Sequence, residues 1–292
     1  KGDRCLIISE NRPEWMIADL SIMLSGGVTV PAYTTYVERD YEYIIDNCEP
    51  SVVFVSDNIQ YEKIKTIISK KKFIKKVIIF DFTDNLNTDF NLDINDIFKN
   101  QNYEVKNFFD LTINRKDMAC IIYTSGTQGN PKGVMLSHGG ILNNCEGSCE
   151  LLKTIVSSNP KFLTWLPLSH SYEHTIQFVQ IAVAAKVFYA ESIEKLIKNM
   201  TECSPEIMTA VPRFYQNLYQ KINSTFIKAT GLKKILVNNT VNIGKKILFK
   251  NKLSMAEVFL NFICEKLVRK KIKKQFGGNI RAFVSGGGAL DK

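Results

Sequence analysis

The sequence lacks any apolar run that approaches the ~18 residues a membrane-spanning helix requires. It also lacks internal repeats and the polar composition of a disordered chain, because Leu, Ile, Val and Phe occur throughout. Cysteine occurs seven times, but no Cys-x-x-Cys pair is present and most of the cysteines lie in apolar segments. Reduced cysteines in such segments behave as small hydrophobic residues, which favours a cytoplasmic location.

The net charge of +9 is distributed unevenly along the 292 residues. Between Lys221 and Phe276 there are 14 Lys/Arg residues and two acidic residues, a net charge of +12, which leaves −3 for the rest. Residues 258–274 combine these lysines with apolar residues near helical spacing, which predicts a basic amphipathic helix. We expect its apolar stripe to face the core. The alternative is peripheral contact with an anionic membrane, at its inner face. Aromatic residues do not interleave with the lysines of this helix, so no nucleic-acid partner is expected.

Short apolar segments alternate with segments of helical pattern. The apolar segments are continuous runs, as expected for strands buried on both faces of a parallel sheet. The predicted strands are residues 5–9, 28–32, 51–56, 76–80, 119–124, 162–168, 186–189, 207–211 and 280–285. The predicted helices are residues 13–25, 39–47, 59–69, 138–154, 192–202 and 213–223. This alternation predicts an α/β fold with mostly parallel sheets.

The segment 84–117 is polar, rich in Asn and Asp, and weakly patterned. We interpret it as a connection between a first lobe segment, approximately residues 1–83, and a second lobe, residues 118–292. The chain begins without Met and ends directly after a glycine run. We therefore expect it to be an internal piece of a longer protein.

The strongest local signal is the segment 121–134, Ile-Ile-Tyr-Thr-Ser-Gly-Thr-Gln-Gly-Asn-Pro-Lys-Gly-Val. A buried strand leads there into a loop of glycine and hydroxyl residues that carries one lysine. Glycines let backbone N–H groups turn toward an anion, hydroxyls add donors and the lysine adds positive charge. The spacing is neither Walker A nor Gly-x-Gly-x-x-Gly. The loop predicts a polyphosphate-binding site.

This loop resembles the signature phosphate loop of the adenylate-forming superfamily, which includes acyl-CoA synthetases, peptide-synthetase adenylation domains and luciferases. Further segments resemble conserved blocks of the long-chain acyl-CoA synthetases, and they are residues 2–15, 163–173, 189–193, 211–213 and 285–290. The resemblance covers essentially the whole chain. It implies an incomplete AMP-binding domain.

In fold, the resemblance implies the large N-terminal domain of an adenylate-forming enzyme, with two packed α/β lobes. Residues 118–292 would form the lobe that carries the phosphate loop and the acyl pocket. The C-terminal part and the small domain would be missing. The family's metal-binding Glu and catalytic Lys are expected beyond residue 292, so no certain catalytic residue lies in this chain. We do not expect the piece to complete adenylation alone.

The resemblance also assigns roles to individual residues. The residues that would hold the phosphates of ATP are Thr124, Ser125, Gly126, Thr127, Gly129 and Lys132. Thr124 would also help to place Mg²⁺. The residues that would line the acyl and adenylate pocket are His170, Ser285, Gly286, Gly287, Gly288 and Ala289.

The implied reaction joins a long-chain fatty acid to ATP as acyl-AMP, after which coenzyme A takes the acyl group. One alternative keeps the adenylate-forming chemistry but uses another carboxylic acid or acyl acceptor. A remote alternative is a zinc hydrolase, because His170, Glu173 and His174 fit the pattern His-x-x-Glu-His.

Overall fold

A computed structural model describes residues 1–83, 88, 90–99, 112–124 and 130–289 of the chain. The chain divides into two compact units. The first unit comprises Lys1–Leu152 and Leu166–Ala182, and the second comprises Lys153–Trp165 and Val183–Lys292. Each unit is an α/β structure with its own sheet.

Within the described residues, the sheet of the first unit has seven strands in the order β5-β4-β3-β1-β2-β6-β7. Its strands are β1 (Arg4–Ile8), β2 (Val28–Ala32), β3 (Val52–Val55), β4 (Lys76–Ile79), β5 (Asn91–Asp93), β6 (Met118–Thr124) and β7 (Lys132–Ser137). All neighbouring strands are parallel except β6 and β7, which are antiparallel. The central strands β1 and β2 are almost entirely buried, which explains their continuous apolar sequences.

The helices of the first unit connect these strands. They are α1 (Pro13–Leu24), α2 (Glu38–Cys48), α3 (Asn58–Ile68), α4 (Ile94–Lys99), α5 (His138–Leu152) and α6 (Ser171–Ala182). Pro13 occupies the first turn of α1, where its missing N–H costs no hydrogen bond. The Asp57 carboxylate caps α3 by accepting a hydrogen bond from the Gln60 N–H at 2.9 Å.

The second unit contains a parallel sheet of four described strands in the order β11-β10-β8-β9. The strands are β8 (Lys161–Thr164), β9 (Lys186–Tyr189), β10 (Ile207–Ala210) and β11 (Ala282–Ser285). The helices are α7 (Leu196–Cys203), α8 (Pro212–Ile227), α9 (Gly231–Leu248), α10 (Met255–Cys264) and α11 (Lys270–Gln275). A π-helical turn, Glu265–Arg269, joins α10 to α11.

Each strand predicted from the sequence is present, and the ends differ by one or two residues except at β8, which ends at Thr164, four residues before the predicted end. The prediction missed β5 and β7, and it missed α4, α6 and α9. Strand β7 is mostly exposed, so it shows no buried apolar run and is held by pairing with β6. The inward face of α6 buries four polar residues beside the apolar Ile176 and Val179, and the polar residues are Glu173, His174, Gln177 and Gln180.

The expected division at residues 84–117 does not coincide with the two units. Strands β6 and β7, which were assigned to a second lobe, extend the sheet of the first unit beside β2. The described part of the expected connection is also partly regular, because it contributes β5 and α4. Pairing across distant parts of the chain, not local composition, determines this boundary.

None of the helices in the described ranges is long and apolar enough to cross a membrane.

The basic helix predicted over residues 258–274 is present as α10, the π turn and α11. The expectation that its apolar stripe faces the core is wrong for Val258, Phe259 and Phe262, which are exposed. Of the residues of α10, only Cys264 is buried. The helix therefore presents large apolar side chains on its outer surface.

Candidate active site

The two ends of the predicted phosphate loop lie side by side in the first unit. Thr124 ends β6, Lys132 begins β7, and the two residues are direct register partners in the antiparallel ladder. Both are exposed, and no ion pair of Lys132 is found among the described residues. The arrangement brings a hydroxyl donor and a cation to one edge of the sheet, as anion binding requires.

Residues Ser125, Gly126, Thr127 and Gly129, which the family resemblance assigns to the phosphates of ATP, lie outside the described residues. Gly133, the residue after Lys132, occupies a position at which β7 has little room for a side chain. Gly133 is the register partner of Tyr123, and a Cβ at Gly133 would lie 2.9 Å from Cγ2 of Ile121. Glycine therefore permits the close pairing that holds Lys132 opposite Thr124.

A cavity of about 410 Å³ opens where strands β2 and β6 end. From β2 the chain crosses to β3, beyond β1, whereas from β6 it turns to β7 at the sheet edge. Connections that diverge at the carboxyl ends of neighbouring strands leave a crevice in which ligands bind. The lining residues are Tyr33, Thr35, Tyr36, Ile122, Tyr123, Thr124, His170 and Ser171. Thr124 and His170, predicted from separate motifs, thus share one cavity.

Two tyrosines that were not predicted from the sequence form one wall of this cavity. Tyr33 and Tyr36 follow β2 and contact each other edge to face, with ring centroids 5.2 Å apart. Burial raises the pKa of Tyr33, and burial with its neighbours raises the pKa of Tyr36 to about 12. Both phenols therefore stay protonated at neutral pH and can donate hydrogen bonds. Their position directly after β2 was visible in the sequence. The sequence did not show that β2 pairs with β6, and this pairing is what brings the two tyrosines to the cavity.

His170 lies at the N-terminus of α6. Its Nδ1 accepts a hydrogen bond from the backbone N–H of Tyr172 at 3.2 Å, in the manner of an N-cap. An amide N–H can only donate, so the ring proton of a neutral His170 lies on Nε2. Because His170 is exposed and lines the cavity, its Nε2–H is a donor for a bound anionic or carbonyl oxygen.

The segment that leads to His170 is fixed by Asn11. The Asn11 side-chain amide donates to the Leu166 carbonyl at 2.6 Å, and its oxygen accepts from the Leu168 N–H at 3.0 Å. Within α6, the buried His174 Nε2 bonds Asp19 Oδ2 of α1 at 2.8 Å. Trp15 meets the same imidazole edge to face at 5.2 Å. These contacts hold the start of α6 at the cavity.

The zinc-hydrolase alternative is wrong in its geometry. His170 precedes α6 and is exposed, whereas His174 lies inside the helix, is buried and is bonded to Asp19. Among the residues that the structure describes, no group of three or more His, Cys, Asp or Glu side chains could hold a metal ion. The pattern His-x-x-Glu-His arises here from a helix cap and a buried structural pair.

The glycine run assigned to the adenylate pocket belongs to the second unit. Ser285 ends β11 opposite Ala210 of β10, and the Gly286 N–H donates to the Ala210 carbonyl at 3.2 Å. Gly287 has a φ of +76°, a conformation that favours glycine. Gly288 lies against the ring of Pro212, and Ala289 is exposed. The run thus follows the carboxyl ends of two parallel strands, where ligand sites of α/β sheets form.

Comparisons with known proteins identify the family of the chain. The family model described as AMP-binding enzyme matches residues 1–292. The chain belongs to the AMP-binding enzyme family. Long chain acyl-CoA synthetase 3 of Arabidopsis thaliana is 31% identical to it, over 99% of this chain and 44% of the relative. Fatty acyl-CoA synthetase A of Dictyostelium discoideum is 30% identical, over 100% of this chain and 43% of the relative. The chain therefore spans less than half the length of these curated relatives.

Solved structures of this AMP-binding fold show the same architecture. The N-terminal domain of FACL13 from Mycobacterium tuberculosis matches with a TM-score of 0.63 and 16% identity, over 100% of this chain and 58% of that chain. A red-emitting luciferase from Phrixothrix hirtus matches with a TM-score of 0.63 and 19% identity, over 73% of this chain and 41% of that chain. At these identities the similarity concerns the fold, which is the large N-terminal domain of adenylate-forming enzymes.

Proposed function

We propose that the protein to which this chain belongs is an ATP-dependent long-chain fatty acid–CoA ligase. The observation that carries the proposal is the cavity that Thr124 and His170 share, with Lys132 paired to Thr124. Membership in the AMP-binding enzyme family supports the activity, as do the acyl-CoA synthetase names of its relatives. Since the chain spans less than half of those relatives, we assign to it only the binding of the phosphates and of the acyl-adenylate.

In the first step, the fatty acid carboxylate attacks the α-phosphorus of ATP, and pyrophosphate leaves. Negative charge then develops on the leaving pyrophosphate. The proposed donors to that charge are the Lys132 ammonium and the loop residues Thr124, Ser125, Gly126, Thr127 and Gly129. Their contribution is electrostatic, and it does not include a covalent bond.

In the second step, the coenzyme A thiol loses its proton to solvent as its sulfur attacks the acyl carbon, and AMP leaves with the electron pair of the broken C–O bond. His170 would donate from Nε2 to an oxygen of the acyl-adenylate, because its Nδ1 is already engaged by Tyr172. Residues 285–289 of the second unit would contribute contacts to the adenylate. No covalent enzyme intermediate is needed.

Mg²⁺ fits the residues at the phosphate end of the cavity. Mg²⁺ prefers oxygen ligands and is commonly held by one or two protein oxygens together with substrate phosphates. The exposed Thr124 hydroxyl, on the register partner of Lys132, would supply such an oxygen. The ion would neutralise phosphate charge when bound.

We further propose a reducing, cytoplasmic location for the protein. All seven cysteines are free, and six of them are buried. Burial raises the pKa of the Cys5 thiol to about 11, so this thiol stays protonated and unreactive at neutral pH. Free cysteines are typical of proteins of the cytoplasm, where thiols are kept reduced.

The test is the exchange of labelled pyrophosphate into ATP by the full-length protein. Exchange that requires palmitate and Mg²⁺, followed by palmitoyl-CoA formation on addition of coenzyme A, is the expected result. Exchange supported only by short-chain or aromatic acids would instead assign another carboxylic acid. Acyl transfer to a carrier protein, but not to coenzyme A, would assign another acceptor. No acid-dependent exchange with any of these acids would refute the adenylate-forming activity.

A further inference from the structure

The connection between α9 and α10 exposes an unusual group of large apolar side chains. We call residues 245–259 the α9–α10 tip. Leu248 is 76% exposed, Phe249 72%, Met255 88% and Phe259 68%. Apolar residues that are exposed one at a time are ordinary on protein surfaces, but four large ones within one helix–helix connection and its flanking turns are typical of an interaction site.

The tip is held in place by hydrogen bonds and an ion pair. Ser254 caps α10 by accepting from the Glu257 N–H, and its own N–H donates to Glu257 Oε2 at 2.9 Å. The same Glu257 carboxylate pairs with Lys246 near the end of α9. Further along, Arg269 donates to the Thr240 carbonyl of α9 at 3.3 Å. These bonds fix the two helices against each other while the apolar side chains stay outside.

The surface around the tip is strongly basic. Lys245, Lys250 and Lys252 lie within the tip and are exposed, and the described residues contain no ion pair for any of them. The exposed side of α10 and α11 continues this pattern. Exposed residues recur there every three or four positions and so lie on one side of the helices. The first three are apolar and the last three are basic, in the order Met255, Phe259, Phe262, Lys266, Lys270 and Lys274. The whole segment Lys221–Phe276 carries the net charge of +12.

We propose that the α9–α10 tip docks on an anionic lipid bilayer, with Leu248, Phe249, Met255 and Phe259 inserted at the boundary between headgroups and acyl chains. Lysines that surround an apolar group match this boundary, because acidic headgroups lie just above hydrocarbon. A nucleic acid would be attracted by the same lysines but offers no apolar layer for Leu248 and Phe249. The proposal rests on this surface alone and is independent of the proposed ligase activity.

The test is sedimentation of the full-length protein with vesicles of phosphatidylcholine alone or of phosphatidylcholine with phosphatidylserine. We expect binding to the anionic vesicles only, weakened by salt. The variant Leu248→Gln/Phe249→Gln should lower the partition coefficient about tenfold or more, because two apolar side chains no longer insert. The variant Lys250→Gln/Lys252→Gln should lower it by a similar factor on anionic vesicles.

Matched controls come from the first unit. Leu24 and Leu151 are 67% and 72% exposed, so Leu24→Gln/Leu151→Gln removes equally exposed apolar residues elsewhere. Lys70 and Lys72 are exposed lysines in the turn that follows α3, and Lys70→Gln/Lys72→Gln removes the same charge. Both controls should keep the wild-type partition coefficient.

Four outcomes would overturn the proposal. One is the absence of binding to anionic vesicles, and another is an equal loss of binding in the control variants. A third is a lowered melting temperature in the Leu248→Gln/Phe249→Gln variant, which would show that another part of the full-length protein covers the tip. The fourth is binding to duplex DNA in preference to anionic vesicles, with no effect of Leu248→Gln/Phe249→Gln. Pyrophosphate exchange with palmitate presented in detergent, without vesicles, should be the same in all variants, so failure of docking is distinguishable from failure of the proposed ligase.

Discussion

The buried pair between Asp19 and His174 gives a prediction whose size follows from the structure. Both side chains are fully buried, and His174 Nε2 lies 2.8 Å from Asp19 Oδ2. Asp19 Oδ1 has no hydrogen-bond partner among the described residues. His174 is therefore the one described side-chain partner of that carboxylate. The pair joins α1 to α6, the helix whose N-terminus carries His170.

The variant His174→Phe keeps an aromatic ring against Trp15 and Phe178 but leaves the Asp19 carboxylate buried without a partner. Breaking a buried pair in this way costs about 3–5 kcal/mol. Asp19→Leu leaves only the imidazole N–H unsatisfied, which costs about 1–3 kcal/mol. In the double variant Asp19→Leu/His174→Phe neither polar group remains. Its loss of stability should therefore be about 2 kcal/mol smaller than the sum of the losses in the two single variants.

Hydrogen exchange of the full-length protein, measured on peptides from α1 and α6, is the appropriate assay because it reports local opening. His174→Phe should lower protection there by roughly two to four powers of ten, at about 1.4 kcal/mol per power of ten. The control is Glu62→Gln in the exposed pair with Lys65, which should cost less than about 1 kcal/mol. Strictly additive effects in the double variant, or a His174→Phe effect as small as the control, would refute the reasoning.

Three further predictions concern the surroundings of the cavity. Asn11→Ala removes both hydrogen bonds to the segment 166–168 and should lower pyrophosphate exchange with little change in protein yield; unchanged exchange would contradict a positioning role. His170→Asn retains a helix cap and should unfold within about 0.5 kcal/mol of the wild type in urea, whereas His170→Ala should lose about 0.5–2 kcal/mol; both should lose exchange activity, and full activity in the Asn variant would exclude a role for Nε2–H. Burial lowers the pKa of His138 below its ordinary 6.5, so the unfolded state binds the proton more readily and the free energy of unfolding should fall as the pH drops through 6.5. His138→Gln should reduce this slope in urea titrations from pH 7.5 to 5.5 (roughly the range in which histidine titrates), and an unchanged slope would assign it to another group.

Much of the fold was predictable because strands that are buried on both faces consist of continuous apolar residues. Strand β2 is fully buried and its predicted bounds, Val28–Ala32, are those observed. Strand β7 is exposed and gains its stability from pairing with β6, so its own sequence carries no equivalent signal. Helix α6 was missed for a different reason, since His174 and Gln177 occupy buried positions that usually hold apolar residues.

The candidate site was predictable only where its residues share a local motif. Thr124 and Lys132 belong to one loop motif, and the ladder between β6 and β7 places them together. Tyr33 and Tyr36 enter the cavity because β2 and β6 are neighbours in the sheet, although about 90 residues of sequence separate these strands. Which strands are adjacent depends on the strand order of the sheet, and a single sequence does not specify that order. The exposed Phe259 was likewise unpredictable, because helical spacing alone does not say which side of a helix faces the core.

The central claim is that the loop between Thr124 and Lys132 binds the phosphates of ATP. The most direct measurement is the ATP affinity of the full-length protein and of its variant Lys132→Met. Loss of a charge-assisted contact of about 1.5–3 kcal/mol predicts an affinity roughly 10- to 150-fold weaker. The matched control is Lys116→Met, an exposed lysine just before the other end of β6, which should bind ATP as the wild type does. Equal ATP affinity in the wild type and the Lys132→Met variant would contradict the account.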